Sequence, residues 1–286
     1  MDQQWPVRLF KKSVLKQRKF QEICGYLGDT DGLHCLDIGA DNGVVSYLLR
    51  QRGGMWKSAD LDEKAVEAIR SLVHQDVFQI NGRQTPFDDS AFDRVVIVDF
   101  LEHIHTDREF IEELLRIIKP GGELIINVPH TKNSLLRKFR LAIGQTDEKH
   151  GHVRPGYTVD SLNTLRMQRF TMVAWKTYSR FFSECVDTLI TFLIGMLKKG
   201  NATSQKGMLV TGRELQQYQK MFRAYSCIYP VVWFFAKLDM LLCWCSGYML
   251  IARTRIDENA KRHLLLLAQS SQSQSSSAHG SASSVS

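Results

Sequence analysis

The octapeptide Leu36-Asp37-Ile38-Gly39-Ala40-Asp41-Asn42-Gly43 decides the fold. It ends the short apolar run His34-Cys35-Leu36-Asp37-Ile38 and precedes Val44 to Arg50, which has helical apolar spacing. Strand, glycine turn and helix in that order place the turn at the carboxyl end of a strand, where parallel sheets bind ligands. Outward from it, Trp56 to Leu61 reads as a second strand and Glu63 to Val73 as a helix. Arg94 to Val98 reads as a strand and Arg108 to Ile118 as a helix, stopped by Lys119-Pro120-Gly121-Gly122. Glu123 to Val128 is a further strand. This alternation predicts an α/β fold built from βαβ units around a parallel sheet.

The turn departs from the dinucleotide fingerprint. G-x-G-x-x-G needs glycine at 41 and near 44, where the chain has Asp41 and Val44, so a nicotinamide cofactor fits poorly. Gly39 and Gly43 still permit positive φ and close backbone approach. Asp60 stands 23 residues after Asp37, at the end of the second run. A carboxylate there can accept both hydroxyl protons of a ribose, although a lone Asp after a strand more often caps a helix.

Composition narrows the class. The chain has 286 residues, 44% hydrophobic and 23% charged, which is a globular balance that excludes collagen, a long coiled coil and a small disulfide scaffold. Its six cysteines form no C-x-x-C pair, which argues against a zinc ribbon and for reduced, mostly buried thiols. The start, MDQQWPVRLFKKS, has no apolar h-region, so a cytoplasmic location is expected. The net charge is +7, and Arg8 to Lys19 carries six cations with no acid. Such a stretch is either a solvated helix face or a contact for an anionic surface.

The expected organisation has five parts. Residues 1–30 form a basic amphipathic helix, with the helical pattern over 5–28; residues 31–182 form the core. Residues 183–246 are a hydrophobic helical insertion or lid, 247–256 the last core strand, and 257–286 a tail disordered from about 269, where ten of eighteen residues are serine. Ile228 to Leu250 is long enough to span a bilayer, but Pro230, Lys237 and Asp239 interrupt it.

Residues 36 to 128 resemble the class I S-adenosyl-L-methionine-dependent methyltransferases of the type 11-like group. LDIGADNG at 36–43 is similar to their first motif, and Asp60 to their acidic ribose-binding position. Asn81-Gly82 lies where they place a polar residue near the adenine amino group. Thr85 to Asp93 resembles their LPF-D-SFD segment, Leu101-Glu102-His103 their LEH segment, and Ile118 to Gly122 their LKPGG turn. The resemblance implies a Rossmann-like seven-stranded, mostly parallel sheet with an antiparallel last strand. Thr171 to Phe182 and Gly247 to Arg255 would be its sixth and seventh strands. It implies S-adenosyl-L-methionine as cofactor, held by Asp37, Gly39, Ala40, Gly43, Asp60, Leu61, Asn81, Gly82, Asp99 and Phe100. Asp41 departs from the family's usual glycine. Its carboxylate could pair with the cofactor's ammonium or crowd its carboxylate, and a non-catalytic scaffold with a degenerate fold is the rival reading.

Methyl transfer depends mainly on alignment of the acceptor, and an oxygen or nitrogen acceptor can need a base. His103 and His152 are the expected catalytic histidines; a capping role is the plain alternative for His103. His130, Arg154 and Tyr157 are the expected acceptor contacts. Tyr157-Thr158-Val159-Asp160 reads equally as the start of a helix capped by Thr158. Asp99-x-x-Glu102-His103 also resembles an acid-x-x-Glu-His metal motif, with His130 or His152 as a further ligand, but no metal is expected. The aromatic residues of the insertion suit a small or lipid-like acceptor, and the basic helix an anionic membrane surface with peripheral attachment. No nucleic acid partner is expected.

Overall fold

The computed structural model describes residues 5–132, 137, 151–165, 169–183, 185, 186, 188, 189, 212–241 and 245–257. The serine-rich tail, most of the apolar run from 188 to 197, His150 and Cys243-Trp244 lie outside the described residues.

Seven strands form one sheet in the order β3-β2-β1-β4-β5-β7-β6. They are β1 (His34–Ile38), β2 (Met55–Asp60), β3 (Val77–Gln79), β4 (Phe92–Val98), β5 (Ile118–Pro129), β6 (Phe170–Tyr178) and β7 (Met249–Ile256). The first five run parallel, and β7 is antiparallel to both β5 and β6. This is the Rossmann-like arrangement expected from the sequence. Strand order reverses between β1 and β4, which share the register Ile38↔Ile97. That reversal opens a crevice at the carboxyl ends of the two strands.

The helices follow local sequence rules. Helix α3 (Val44–Arg50) starts at Gly43, and α4 (Glu63–Val73) is capped by Asp62, whose side chain accepts from Lys64 N–H. Helix α5 (Asp107–Ile117) buries Phe110, Ile111, Leu114 and Leu115 against the sheet. Each such side chain contributes ~1.5–3 kcal/mol by leaving water. Helix α6 (Val159–Leu165) starts in a reciprocal cap. Ser161 N–H donates to Thr158 Oγ1 at 3.1 Å, and Thr158 N–H to Ser161 Oγ at 2.9 Å.

Two expectations change. The amphipathic pattern over 5–28 is two helices, α1 (Trp5–Phe10) and α2 (Val14–Leu27). Gln17 causes the break, because its side-chain amide donates to the carbonyls of Phe10 and Lys11 and so caps the end of α1. The sixth strand stops at Tyr178 rather than Phe182. Asp239, nearly buried, accepts from the backbone N–H groups of Arg180, Phe182 and Ser183, which turns the chain there into a helix start. Asp239 follows helix α7 (Gly212–Leu238), so this bond ties α7 to the end of β6.

Polar groups also hold the sheet together. Glu123 on β5 is 1% exposed and receives Arg253 and Arg255 from β7, at 2.8–3.2 Å, with Arg94 Nε of β4 at 3.2 Å. Burial alone would raise its carboxyl, but the arginine hydrogen bonds and charges outweigh that and hold it below the ordinary value.

Candidate functional site

The site lies where the loops after β1, β2 and β4 meet. Gly39 has φ +85°, and its N–H donates to Ala59 O at 3.0 Å. A Cβ there would stand 2.3 Å from Val98 O and 2.9 Å from Phe100 Cβ, so glycine is required for the turn to approach the end of β4. Gly43, at φ +77°, lets α3 lie against Ile69 of α4. Ala40 is buried between them.

Asp37 stands behind this turn. It is fully buried; Ser46 and Ser58 donate to its carboxylate at 2.5 and 2.7 Å, and Arg50 lies 3.6 Å away. Burial raises its carboxyl despite these partners. Asp37 therefore braces the turn from inside the sheet, through Ser46 on α3 and Ser58 on β2.

Asp60 faces it from β2. Its Oδ1 accepts from Leu61 N–H at 2.8 Å, and its Oδ2 accepts from Asp41 N–H at 3.3 Å. The neighbouring Asp62 caps α4 with its side chain, and its own N–H donates to Asp60 Oδ1 at 3.4 Å. Asp41 holds a left-handed backbone, φ +52°, which aspartate tolerates. Its Oδ1 is buried with no hydrogen-bond partner among the described residues.

After β3, the Asn81 side-chain oxygen accepts from the N–H groups of both Arg83 and Gln84 at 2.9 Å. That Asx turn engages the oxygen that the sequence reading aimed at adenine. Gly82 and Leu61 meet Ile104, and Gly82 O accepts from Thr106 Oγ1 at 2.9 Å. After β4, Asp99 has φ +46° and receives Asn127 Nδ2 at 3.1 Å. Lys19 from α2 donates to its other oxygen. Lys19 was not expected here; no sequence spacing links it to a residue 80 positions away. Phe100 is buried against Phe110, with ring centroids 5.0 Å apart.

A short 3-10 turn, Leu101–His103, carries the histidine. His103 Nδ1 lies 2.8 Å from Gly151 O. A carbonyl only accepts, so Nδ1 carries a proton, and in the neutral imidazole the lone pair is on Nε2. His152 packs edge-on against it at 4.7 Å. One ligand atom from each of Glu102, His103 and His152 falls within 4.8 Å of the others, and Glu102 is fully buried. One carboxylate and two imidazoles are a donor set able to hold a divalent cation. The structure joins His103 to His152, which sequence proposed, and keeps His130 out of that group. His130 Nδ1 donates instead to Gly247 O at 2.9 Å, and its backbone pairs with Tyr157.

Arg154 and Tyr157 are turned inward. Arg154 pairs with Asp107 and donates to Ile104 O at 3.0 Å. Tyr157 donates to Asp107 Oδ2 at 2.9 Å and to Leu101 O at 3.2 Å. Burial, then the Asp107 charge, pushes the Tyr157 phenol well above its ordinary value, so it stays protonated. The two residues form a clasp that fastens residues 151–157 onto α5 and the His103 turn. Asp107, the partner that redirects them, is 47 and 50 positions away.

Comparison with known proteins points to a methyltransferase domain. The family model for a methyltransferase domain matches residues 36–126. The demethylmenaquinone methyltransferase of Clavibacter sepedonicus is 34% identical over 99 residues, covering 33% of this chain and 40% of the relative. The ubiquinone biosynthesis O-methyltransferase of Coxiella burnetii is 27% identical over 101 residues, covering 34% of this chain and 43% of the relative. The chain thus spans less than half the length of either relative. A Galdieria sulphuraria protein assigned as a sarcosine dimethylglycine methyltransferase superposes with a TM-score of 0.54 at 12% identity, over 85% of this chain and 87% of its own. The [4+2]-cyclase SpnF gives 0.54 at 17% identity, over 85% of this chain and 81% of its own. These two show a shared fold, and the cyclase shows that the fold alone does not choose the reaction. The chain thus resembles a methyltransferase domain over residues 36–126 and shares the Rossmann-like fold of these solved structures.

Proposed function

We propose that the chain binds S-adenosyl-L-methionine in the crevice between β1, β2 and β4 and methylates a lipid-like acceptor of the quinone type. The observation that carries the reading is Asp60, oriented by Asp41 N–H beside a glycine turn that no side chain can fill. The acceptor class rests on the demethylmenaquinone and ubiquinone-biosynthesis relatives, which match about a third of this chain.

The residues present fit that cofactor. Asp60 suits the ribose diol. The buried Asp41 Oδ1 lacks a protein donor and suits an ammonium, while Lys19, paired with Asp99, suits a carboxylate. When bound, S-adenosyl-L-methionine supplies an electrophilic methyl group. The chain's task is to align the acceptor with it and to manage one proton. His103 Nε2, unprotonated in the tautomer that Gly151 O selects, accepts the proton of an O–H or N–H acceptor as the new bond forms. The clasp of Asp107, Arg154 and Tyr157 holds Gly151 in place and so positions that imidazole.

The test is a calorimetric titration with S-adenosyl-L-methionine, with NAD as control. Binding of the former alone is expected, and Asp60→Ala should weaken it by about 1.5–3 kcal/mol, the range for a hydrogen bond to a charged group. Unchanged affinity in the variant would remove the ribose assignment. Absence of binding by the wild-type chain would favour a non-catalytic scaffold, with Asp41 as the obstructing residue.

A further inference from the structure

We propose that Tyr178 and Asn127 are positioning residues: they hold Asp99 from inside the sheet and, through it, set Lys19 to receive the carboxylate at the cofactor's amino-acid end. The inference rests on the S-adenosyl-L-methionine reading and deepens it by giving a role to two buried side chains. The four side chains come from four parts of the fold. Tyr178 ends β6, Asn127 lies on β5, Asp99 follows β4 and Lys19 lies on α2. Tyr178 and Asn127 are buried. The Tyr178 hydroxyl donates to Asn127 Oδ1. Asn127 Nδ2 donates to Asp99 Oδ1 at 3.1 Å, and Asp99 N–H donates to Asn127 O at 2.9 Å. Lys19 Nζ donates to Asp99 Oδ2.

The direction of every bond follows from the carboxylate. Paired with a lysine, Asp99 is ionised and only accepts, so Asn127 must turn its NH2 group toward it. The amide oxygen then faces Tyr178, whose phenol must donate. Burial, then the Asp99 charge, pushes that phenol well above its ordinary value, so its proton stays in place. One hydrogen on Tyr178 therefore fixes the amide, and the amide fixes Asp99. Without that hydrogen the amide can turn over and set its own oxygen against the carboxylate, which repels it.

The pair at the outer end of this series stands at the glycine turn. Val98 and Phe100, on either side of Asp99, are the residues that a Cβ on Gly39 would strike. Asp99 itself has φ +46°, uncommon for a residue other than glycine, so backbone and side chain are both held. The Asp99 and Lys19 side chains are 33% and 24% exposed, within reach of a ligand. The sheet order β2-β1-β4 puts Asp60 and Asp99 on opposite sides of the β1 turn. With the ribose at Asp60, one end of the cofactor crosses that turn toward β4. Adenine is neutral and the amino-acid end carries a carboxylate, so the Lys19 cation selects the latter. Ordering a long lysine side chain costs conformational entropy, and Asp99 orders it before the ligand arrives.

The test is calorimetric titration of the full chain with two thioethers that differ at this end. S-adenosylhomocysteine carries the amino acid, and 5′-methylthioadenosine has a methyl group in its place. Tyr178→Phe should weaken binding of the former by about two- to tenfold, the net effect of one hydrogen bond, and leave the latter unchanged. Lys19→Met should show the same selectivity, and Tyr178→Phe should add little in that background, because members of one network are not additive. Asn127→Ser breaks the series one step nearer to Asp99 and should give the same selective loss, so the test stands even if Tyr178→Phe does not fold. Equal losses toward both thioethers would mean a loosened sheet and overturn the proposal. Additive losses in the double variant, or unchanged S-adenosylhomocysteine affinity in the single ones, would overturn it too. Wild-type protein that binds neither thioether would overturn the cofactor reading itself, and this proposal with it.

Discussion

The backbone N–H of Asp41 donates to Oδ2 of Asp60 across 3.3 Å, which joins the turn after β1 to the end of β2. One residue so supplies both a donor to the Asp60 carboxylate and a buried carboxylate oxygen of its own. The left-handed conformation that exposes this N–H is the one usually met by glycine.

Asp41→Asn should therefore weaken binding of S-adenosyl-L-methionine by about 1.5–3 kcal/mol, because the ammonium loses a charged acceptor while the backbone bond to Asp60 survives. Titration of the variant with the cofactor checks this. Tighter binding would mean that Asp41 repels the cofactor carboxylate and restrains affinity.

His103→Ala should lower turnover of a hydroxyl acceptor by about 10²–10⁴-fold, the usual contribution of a general base, and leave cofactor affinity unchanged. Equal turnover in both proteins would return His103 to a structural role.

Tyr157→Phe should cost about 0.5–1.5 kcal/mol of stability, since Asp107 keeps Arg154 but loses the phenol donor. The acceptor KM should not change. Chemical denaturation and steady-state kinetics separate the outcomes: a raised KM at full stability would make Tyr157 an acceptor contact.

Glu123 sets an acid limb of stability. Its folded value lies below the ordinary 4.5, so the stability it contributes is complete above about pH 4.5 and is lost as pH falls through the folded value. Glu123→Gln leaves three arginines around a neutral amide and should cost about 3–5 kcal/mol near neutrality. Thermal melts from neutral to acid pH should show a shallower decline in the variant. A decline parallel to the wild type would place the titrating carboxylate elsewhere.

Legibility in the sequence followed the range of the interactions. Val44–Arg50 and Glu63–Val73 match their predicted helices residue for residue, because apolar period and local capping lie within a few positions. The three residues of β3, Val77–Gln79, are too few to show an alternating pattern, and pairing with β2 makes them a strand. The N-terminal helix kept its apolar spacing but broke where Gln17 reached back to Phe10 and Lys11.

The glycine turn, Asp60 and the strand–helix alternation were determined by the sequence itself, since backbone conformation and amphipathic period are local properties of residue type. Tertiary structure decided what each polar side chain does. It sent Arg154 and Tyr157 to Asp107, brought Lys19 to Asp99 and His152 to His103, and turned the aromatic face of α7 outward. Those outcomes depend on which distant groups the folded chain brings within hydrogen-bond reach. A buried donor takes the acceptor that is present there, whatever its separation along the chain.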